Sequence, residues 1–372
     1  MVKIIELLNK HINKCYEKYK TVELKYLINL KKEYYETRST EKSLYPLVLF
    51  IINNNILDIS VECDDKIYNK NNFKEINDDR ITHTYNIMND TLNWALNNNK
   101  KIPNTTLYFW ISDRIPWSEN IDEKIPIYVV AKPKNTNFIV FPDNTFNCIT
   151  LEEKYNGVCY DWDEVKKIIL DKATKIEFED KNNKMFFKGA PTTKRNSKIR
   201  ENLQELSKDT NWLSINLDAW SAYISMDKFS EYKYLLNLSG HYPWSNRLKY
   251  LFLMNSIIIN VDIETINTST NIIEPRWISF INLITKPNKH YKNLKMKYYW
   301  SNNKDEKLKN QELNYNESVR IFKKLKKIFN NDTKKYLPIV EKGFKRVSKL
   351  NNEHIYEYAY NCIVRNSLVD FV

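Results

Sequence analysis

The stretch Glu231–Asp262, EYKYLLNLSGHYPWSNRLKYLFLMNSIIINVD, carries the most structural information in the chain. Tyr232–Leu238 reads as a strand, Ser245–Met254 as a helix, and Ser256–Val261 as an apolar strand of the kind buried in a parallel sheet. Strand, helix and strand in that order predict an α/β layer. Gly240 ends the first strand and an aromatic turn follows. Ser245 and Arg247 fall in the first turn of the expected helix, where a cation opposes the helix dipole. Arg247 therefore calls for an anion, either a ligand phosphate or a carboxylate such as Asp262 or Glu264.

Upstream, Phe186–Arg200 reads FFKGAPTTKRNSKIR. A strand ends at Lys188, Gly189 permits a sharp turn, and Thr192, Thr193, Lys194 and Arg195 lead into a helix at Asn196–Leu206. Hydroxyls, cations and free N–H groups at a strand's carboxyl end make an anion site, with a diphosphate as the natural guest. Ordinary capping threonines at a helix start are the alternative.

Further out, the same alternation continues. Residues 1–35 read as amphipathic helix, Leu47–Ile52 and Leu57–Val61 as strands, and 82–99 as helix. Leu107–Ile111, Ile125–Ala131 and Phe138–Phe141 read as strands, and Asp161-Trp162-Asp163-Glu164 opens a helix through Leu170. Ser301–Asn316 reads as a polar surface loop, and from Ser318 to Val372 the pattern is helical. Two α/β halves and a helical tail predict two Rossmann-like lobes. The boundaries are placed at 1–175, 176–335 and 336–372, the last packing back on the first lobe.

Composition removes several classes. Apolar residues make up 42% of the 372 and charged residues 28%, an ordinary balance for a chain with a sizeable core. Only four glycines occur, and no two are neighbours, which excludes a Walker loop and a GxGxxG dinucleotide turn. The five cysteines show no CxxC pair, and no HxxxH occurs, so neither a zinc module nor a disulfide framework is signalled. Free thiols, with no signal peptide or apolar membrane span, lead to an expected cytoplasmic location, that of an infected host if the AT-rich coding bias is viral. The net charge, 58 − 46 = +12, favours polyanionic partners. Its densest run, Lys323–Lys327, reads as a solvated helix face. Asn runs such as Asn53–Asn55 read as coding bias.

Asp161-Trp162-Asp163 matches a D-x-D metal-binding triplet. Asp161 with Glu164 also reads as an N-cap followed by an acidic third residue, and this capping reading is preferred. His83, His241, His290 and His354 have no metal-ligand spacing. Trp244 and Tyr242 suit stacking on a uracil or sugar, or packing as an aromatic turn.

The blocks FKGAPTTKR, KYLLNLSG and SNRLKYLFLMNSIIINV resemble the paired motifs of the CAP10-like glycosyltransferases, family 90, which include protein O-glucosyltransferases and capsule-associated proteins. ISDRIPW and IVFPDNTF upstream, and EPRWISFINLITKPNKHY downstream, extend the likeness to about residues 105–365. The resemblance implies a GT-B architecture: two Rossmann-like lobes with a nucleotide-sugar between them and a terminal helical segment bridging back. It implies inverting, metal-independent transfer from a UDP-sugar of the glucose or xylose type to a hydroxyl of a protein or glycan acceptor. No cofactor beyond the donor is expected, and no specific nucleic acid. Lys188, Gly189, Thr192, Thr193, Arg195, Gly240, Trp244, Ser245 and Arg247 map onto the donor side. Asp113, one residue out of the family's acid-x-Pro register with Pro116, is the expected base. Pro191 stands where the family usually has Arg. The alternatives are a basic polyanion- or nucleic-acid-binding protein, and a GT-B scaffold that has lost catalysis.

Overall fold

The computed structural model describes residues 4–371 apart from 18, 20, 23–46, 64–65, 77, 112–125, 150–157, 192–196, 218–224, 241–243, 302 and 304. The elements run α1 (Ile4–Tyr16), β1 (Thr21–Val22), β2 (Leu47–Asn53), β3 (Ile56–Cys63), β4 (Lys66–Tyr68), α2 (Asp79–Asn97), β5 (Thr105–Trp110), β6 (Ile127–Val129), β7 (Ala131–Pro133) and β8 (Ile139–Val140). Then come α3 (Trp162–Ala173), β9 (Asn182–Lys188), α4 (Ser197–Ser207), β10 (Leu213–Asn216), β11 (Tyr232–Leu238), α5 (Leu248–Leu251), β12 (Ile257–Asn267), β13 (Ile273–Glu274), β14 (Trp277–Ser279) and α6 (Phe280–Ile284). The chain closes with β15 (Lys292–Trp300), α7 (Lys307–Phe329), α8 (Leu337–Val347), α9 (Asn352–Asn366) and β16 (Asp370–Phe371).

Packing divides the chain into two compact units, Met1–Cys148 with Leu350–Val372, and Ile149–Lys349. The sequence reading set its boundaries at 175/176 and 335/336, whereas α3 and α8 pack within the second unit.

The first unit holds a six-stranded sheet in the order β4-β3-β2-β5-β6-β8. β2 is antiparallel to β3 and β5, while β5, β6 and β8 run parallel. The β2–β3 hairpin turns on Asn54 and Asn55, with φ of 49° and 65°. Asparagine tolerates the left-handed region better than other side chains. Among the described residues, the six non-glycine residues with positive φ are all asparagine. In a chain with four glycines, asparagine takes over glycine's turn duty, so the Asn abundance has a structural use beyond coding bias. α9 is held to this sheet by buried polar groups. Asn366 donates to Thr105 Oγ1 at 2.9 Å and Thr106 O at 2.8 Å, and accepts from the Tyr16 hydroxyl at 3.1 Å. The Tyr128 hydroxyl meets the Cys362 carbonyl at 3.1 Å and also bonds the Tyr16 hydroxyl.

The second unit is built on the sheet β10-β9-β11-β12, with β15 and β13 also paired to β12; every pairing but β12–β13 is parallel. Met185, Phe187, Leu236, Leu238 and Ile259 form one core with Ile199 and Leu203 of α4 and Ile321, Leu325 and Ile328 of α7. Phe186, Lys188, Leu235, Asn237 and Asn260 alternate with these and point to the other face. At the amino ends of the strands, buried Lys181 donates to Ser230 O, Met254 O and Ser256 Oγ at 2.7, 2.6 and 3.2 Å. Burial alone pulls its pKa down to about 8.

Three expectations are corrected here. Ser301–Asn316 is not a loop: α7 begins at Lys307, and its buried stripe is Asn310, Asn314, Ser318, Ile321, Leu325 and Ile328. The helical period is intact, but its first three positions are polar. Asn314 donates to Tyr299 O and accepts from Tyr299 N, both at 2.8 Å, satisfying the β15 backbone. The helix expected over Ser245–Met254 shrinks to α5 followed by a 3₁₀ turn at Phe252–Met254, and Arg247 precedes it. The cysteines are not all free. Cys148 and Cys159 are disulfide-bonded, while Cys15 and Cys362 are free and buried. The antiparallel bridge between Ile149 and Tyr160 folds the chain back beside both bonded cysteines, which their ten-residue spacing does not announce. At α3 the capping reading holds: Asp161 accepts from Glu164 N and Glu164 Oε2 accepts from Asp161 N, both at 2.9 Å.

One half-buried and one buried histidine make the fold sensitive to acid. His11 accepts the Val140 N–H at 3.3 Å and His290 accepts the Lys286 N–H at 2.8 Å, so each is used as the neutral ring. Desolvation first, then neighbouring lysines for His11 and Arg346 and lysines for His290, lower their pKa to about 3 and about 4. The unfolded chain takes up these protons near pH 6.5 and the folded chain does not, so their contribution is whole above about 6.5 and falls away towards 4. Urea unfolding should show stability dropping from pH 7 to pH 5, and less steeply in a His11→Gln/His290→Asn variant. Equal slopes would show that these rings are not the cause.

Candidate functional site

The chain order of the second sheet fixes where a ligand would gather. From β9 the chain moves outward through α4 to β10, whereas β11, β12 and β15 build away on the other side. The order reverses between β9 and β11. In open parallel sheets, the crevice beyond the carboxyl ends of the two strands at such a reversal receives ligands.

Those two strands separate at that end. Their paired residues run from Tyr232–Asn182 to Leu235–Phe186. Beyond that, β9 stays paired only to β10, as far as Lys188–Asn216, and β11 to β12, as far as Leu238–Val261. Gly189 follows β9, its N–H donating to Asn216 O at 3.1 Å. Gly240 follows β11, its N–H donating to Trp244 O at 3.0 Å. This second bond closes the turn that carries Trp244 and Ser245, and Ser245 Oγ in turn accepts the Arg247 N–H at 3.3 Å.

Two cations converge here, and a third ends β9. Arg247 lies over the Phe187 ring, 4.9 Å from guanidinium carbon to centroid, and 5.8 Å from that of Phe229. Arg200, from the second turn of α4, also lies over Phe187, at 5.0 Å. It donates to Ala190 O at 2.6 Å, Leu238 O at 3.2 Å and Ser239 O at 2.7 Å. Lys188 ends β9 with 6% exposure, and its ammonium bonds no described residue. Asn237 Oδ1 and Ser239 Oγ are likewise buried without a hydrogen-bond partner.

Among the described residues no carboxylate meets Lys188 or Arg200. Arg200 is opposed by burial first and then by the charge of Arg247, which together pull its pKa down to about 9. Burying a cation away from any carboxylate is costly, and a bound anion would lower that cost for Lys188 and Arg200. Of the two carboxylates weighed as partners for Arg247, Asp262 and Glu264, the first is engaged elsewhere: it accepts from Arg276 at 2.9 Å, Asn260 at 2.7 Å and Asn293 at 2.8 Å. Asn260 also accepts from Asn237 at 2.6 Å and donates to Asn293 at 3.0 Å, so one polar row crosses β11, β12 and β15 in register.

The structure thus brings Gly189 and Arg247 together, with Lys188 the residue before Gly189, and links Gly240 to Trp244 and Ser245 to Arg247 by hydrogen bonds. Thr192, Thr193, Arg195 and Asp113 lie outside the described residues. The sequence reading passed over Arg200, which stands in a helix among Lys198 and Glu201 and looks like a surface cation. Its signal was positional: it ends the FFKGAPTTKRNSKIR block itself.

Fold and geometry together define an α/β protein with basic side chains gathered at a strand switch point. The family model of glycosyl transferase family 90 matches residues 54–358, and the chain belongs to that family. Membership implies glycosyltransferase activity. No curated protein matches the chain.

Gly189 is required by the close approach of Arg247. A Cβ there would sit 3.0 Å from Arg247 Nη2 and 3.1 Å from the Phe187 ring. Gly189→Ala should press on the guanidinium and the Phe187 ring and destabilise the fold by about 1–3 kcal/mol, the usual cost of overpacking. Urea unfolding that gave wild-type stability would show that Arg247 does not need this space.

Proposed function

We propose that the chain transfers a sugar from a UDP-sugar to a hydroxyl of a protein or glycan acceptor, with inversion and without a metal ion. The observation that carries the reading is the pair Arg200 and Arg247 over Phe187 at the switch point, with Lys188 at the end of β9 and no carboxylate bonded to Lys188 or Arg200 among the described residues. A departing UDP carries its negative charge on the diphosphate, and fixed cations in a partly buried site stabilise it as it develops. Lys188 and Arg247 are assigned to the phosphates, Gly189 to their close approach, and Trp244 to the uracil or sugar. Gly240 and Ser245 shape the turn that carries Trp244 and Arg247. Thr192, Thr193 and Arg195 complete the donor side by family likeness, within a GT-B arrangement.

The reaction needs one base. Asp113 follows the apolar run that ends β5, and in α/β units functional groups gather at carboxyl strand ends. Its carboxylate takes the proton of the acceptor hydroxyl as that oxygen attacks the anomeric carbon. The bond from that carbon to the β-phosphate oxygen breaks from the opposite side, the electron pair leaves with UDP, and the configuration inverts.

A panel of UDP-sugars should show donor turnover that survives EDTA. Loss of turnover in EDTA, restored by manganese, would move the diphosphate's counter-charge to a metal. Asp113→Asn should lower kcat by about 10²–10⁴-fold, the usual contribution of general-base catalysis, with UDP affinity nearly intact. Wild-type turnover in that variant would remove Asp113 from the chemistry.

A further inference from the structure

We infer that Arg200 is a positioning residue: its guanidinium holds the two parted strand ends at the spacing that places Arg247 and the Gly189 turn for the donor diphosphate. The inference rests on the donor reading above and adds a residue to it. Arg200 would act through the backbone and through Arg247, without touching the donor.

Three observations carry it. Pairing between β9 and β11 stops at Phe186 and Leu235, although the strands continue to Lys188 and Leu238, so backbone carbonyls near the gap lose their ladder partners. The Arg200 fork supplies donors on both sides of the gap, one Nη to Ala190 O after β9 and the other to Leu238 O and Ser239 O at the end of β11. A planar guanidinium with donors in fixed directions can span two backbones; an ammonium on a flexible stem is a point donor. Finally, both guanidinium groups lie over the Phe187 ring, Arg200 at 5.0 Å and Arg247 at 4.9 Å from its centroid. The shared ring ties the position of one guanidinium to that of the other.

This arrangement differs from an ordinary structural arginine. A buried cation whose whole task is to satisfy carbonyls gains nothing from a second arginine over the same ring. Its 6% exposure and the opposing charge of Arg247 make Arg200 a costly clamp, and an anion bound beside Arg247 would relieve that repulsion. The clamp and the anion site are therefore expected to be thermodynamically coupled.

A double-mutant cycle on UDP affinity tests this. Calorimetry would compare wild type, Arg200→Lys, Arg247→Ala and the double variant, with thermal midpoints recorded in parallel. Arg200→Lys keeps the charge and loses the fork. It should weaken UDP binding at least tenfold in the wild-type background and less than twofold when Arg247 is already alanine. A purely structural role would lower the thermal midpoint and leave UDP affinity unchanged, which overturns the inference. Equal losses in both backgrounds would mean that Arg200 contacts the donor directly, which also overturns it. Should Arg200→Lys fail to fold, Arg200→Gln, which retains two donors on one nitrogen, enters the same cycle with the same expectation. A wild-type protein that binds no UDP overturns the donor reading and this inference together; a wild type that binds, beside an Arg200 variant that binds equally well, overturns this inference alone.

Discussion

The separation of β9 from β11 is the constraint on which the second unit's site depends. A parallel sheet gains by keeping its ladder closed to the strand ends, because each buried carbonyl left open costs free energy. Here the ladder opens two residues early at the reversal of strand order, and a buried arginine occupies the gap. The two glycine turns diverge from there, and the cations gather around them. A continuous β9–β11 ladder would leave no room for a guanidinium between Ala190 and Ser239.

The remainder of the unit stabilises this opening. At the amino ends of the same strands, Lys181 ties three oxygens together and holds β11 to the start of β12. On the face away from α4, the Asn237–Asn260–Asn293 row with Asp262 and Arg276 links three strands through side chains at the level where backbone pairing to β9 has ended. Buried polar networks make an arrangement specific as well as stable to the extent that their members are satisfied. Most of this row is satisfied; among the described residues Asn237 Oδ1, on the strand that borders the gap, has no partner.

The sequence disclosed the elements wherever burial is written in apolar residues. Tyr232–Leu238 matches β11 at both ends, and Asn196–Leu206 matches α4 to within a residue. Gly189 was informative because glycine is scarce, so each one marks a place where a side chain does not fit. What stayed hidden is polar and buried. The first half of α7 presents Asn310, Asn314 and Ser318 to the core, a pattern that hydropathy reads as surface. Arg200 has the same disguise, since neighbouring Lys198 and Glu201 pair on the surface while it turns inward. Arg247 was found for a partly mistaken reason: the helix it was thought to oppose is a single short turn, and its significance lies in its neighbours. The disulfide-bonded Cys148 and Cys159 depend on a two-residue bridge that no local pattern signals.

The central claim, that the parted ends of β9 and β11 hold the donor's diphosphate, is tested most directly by a crystal structure of the protein with UDP. The account predicts phosphate oxygens beyond the carboxyl ends of these strands, within hydrogen-bond distance of Lys188 or Arg247 and against the Gly189 turn, with Arg200 still bonded to Ala190, Leu238 and Ser239. UDP ordered at any other place on the second unit, with the Lys188 ammonium untouched, would contradict it.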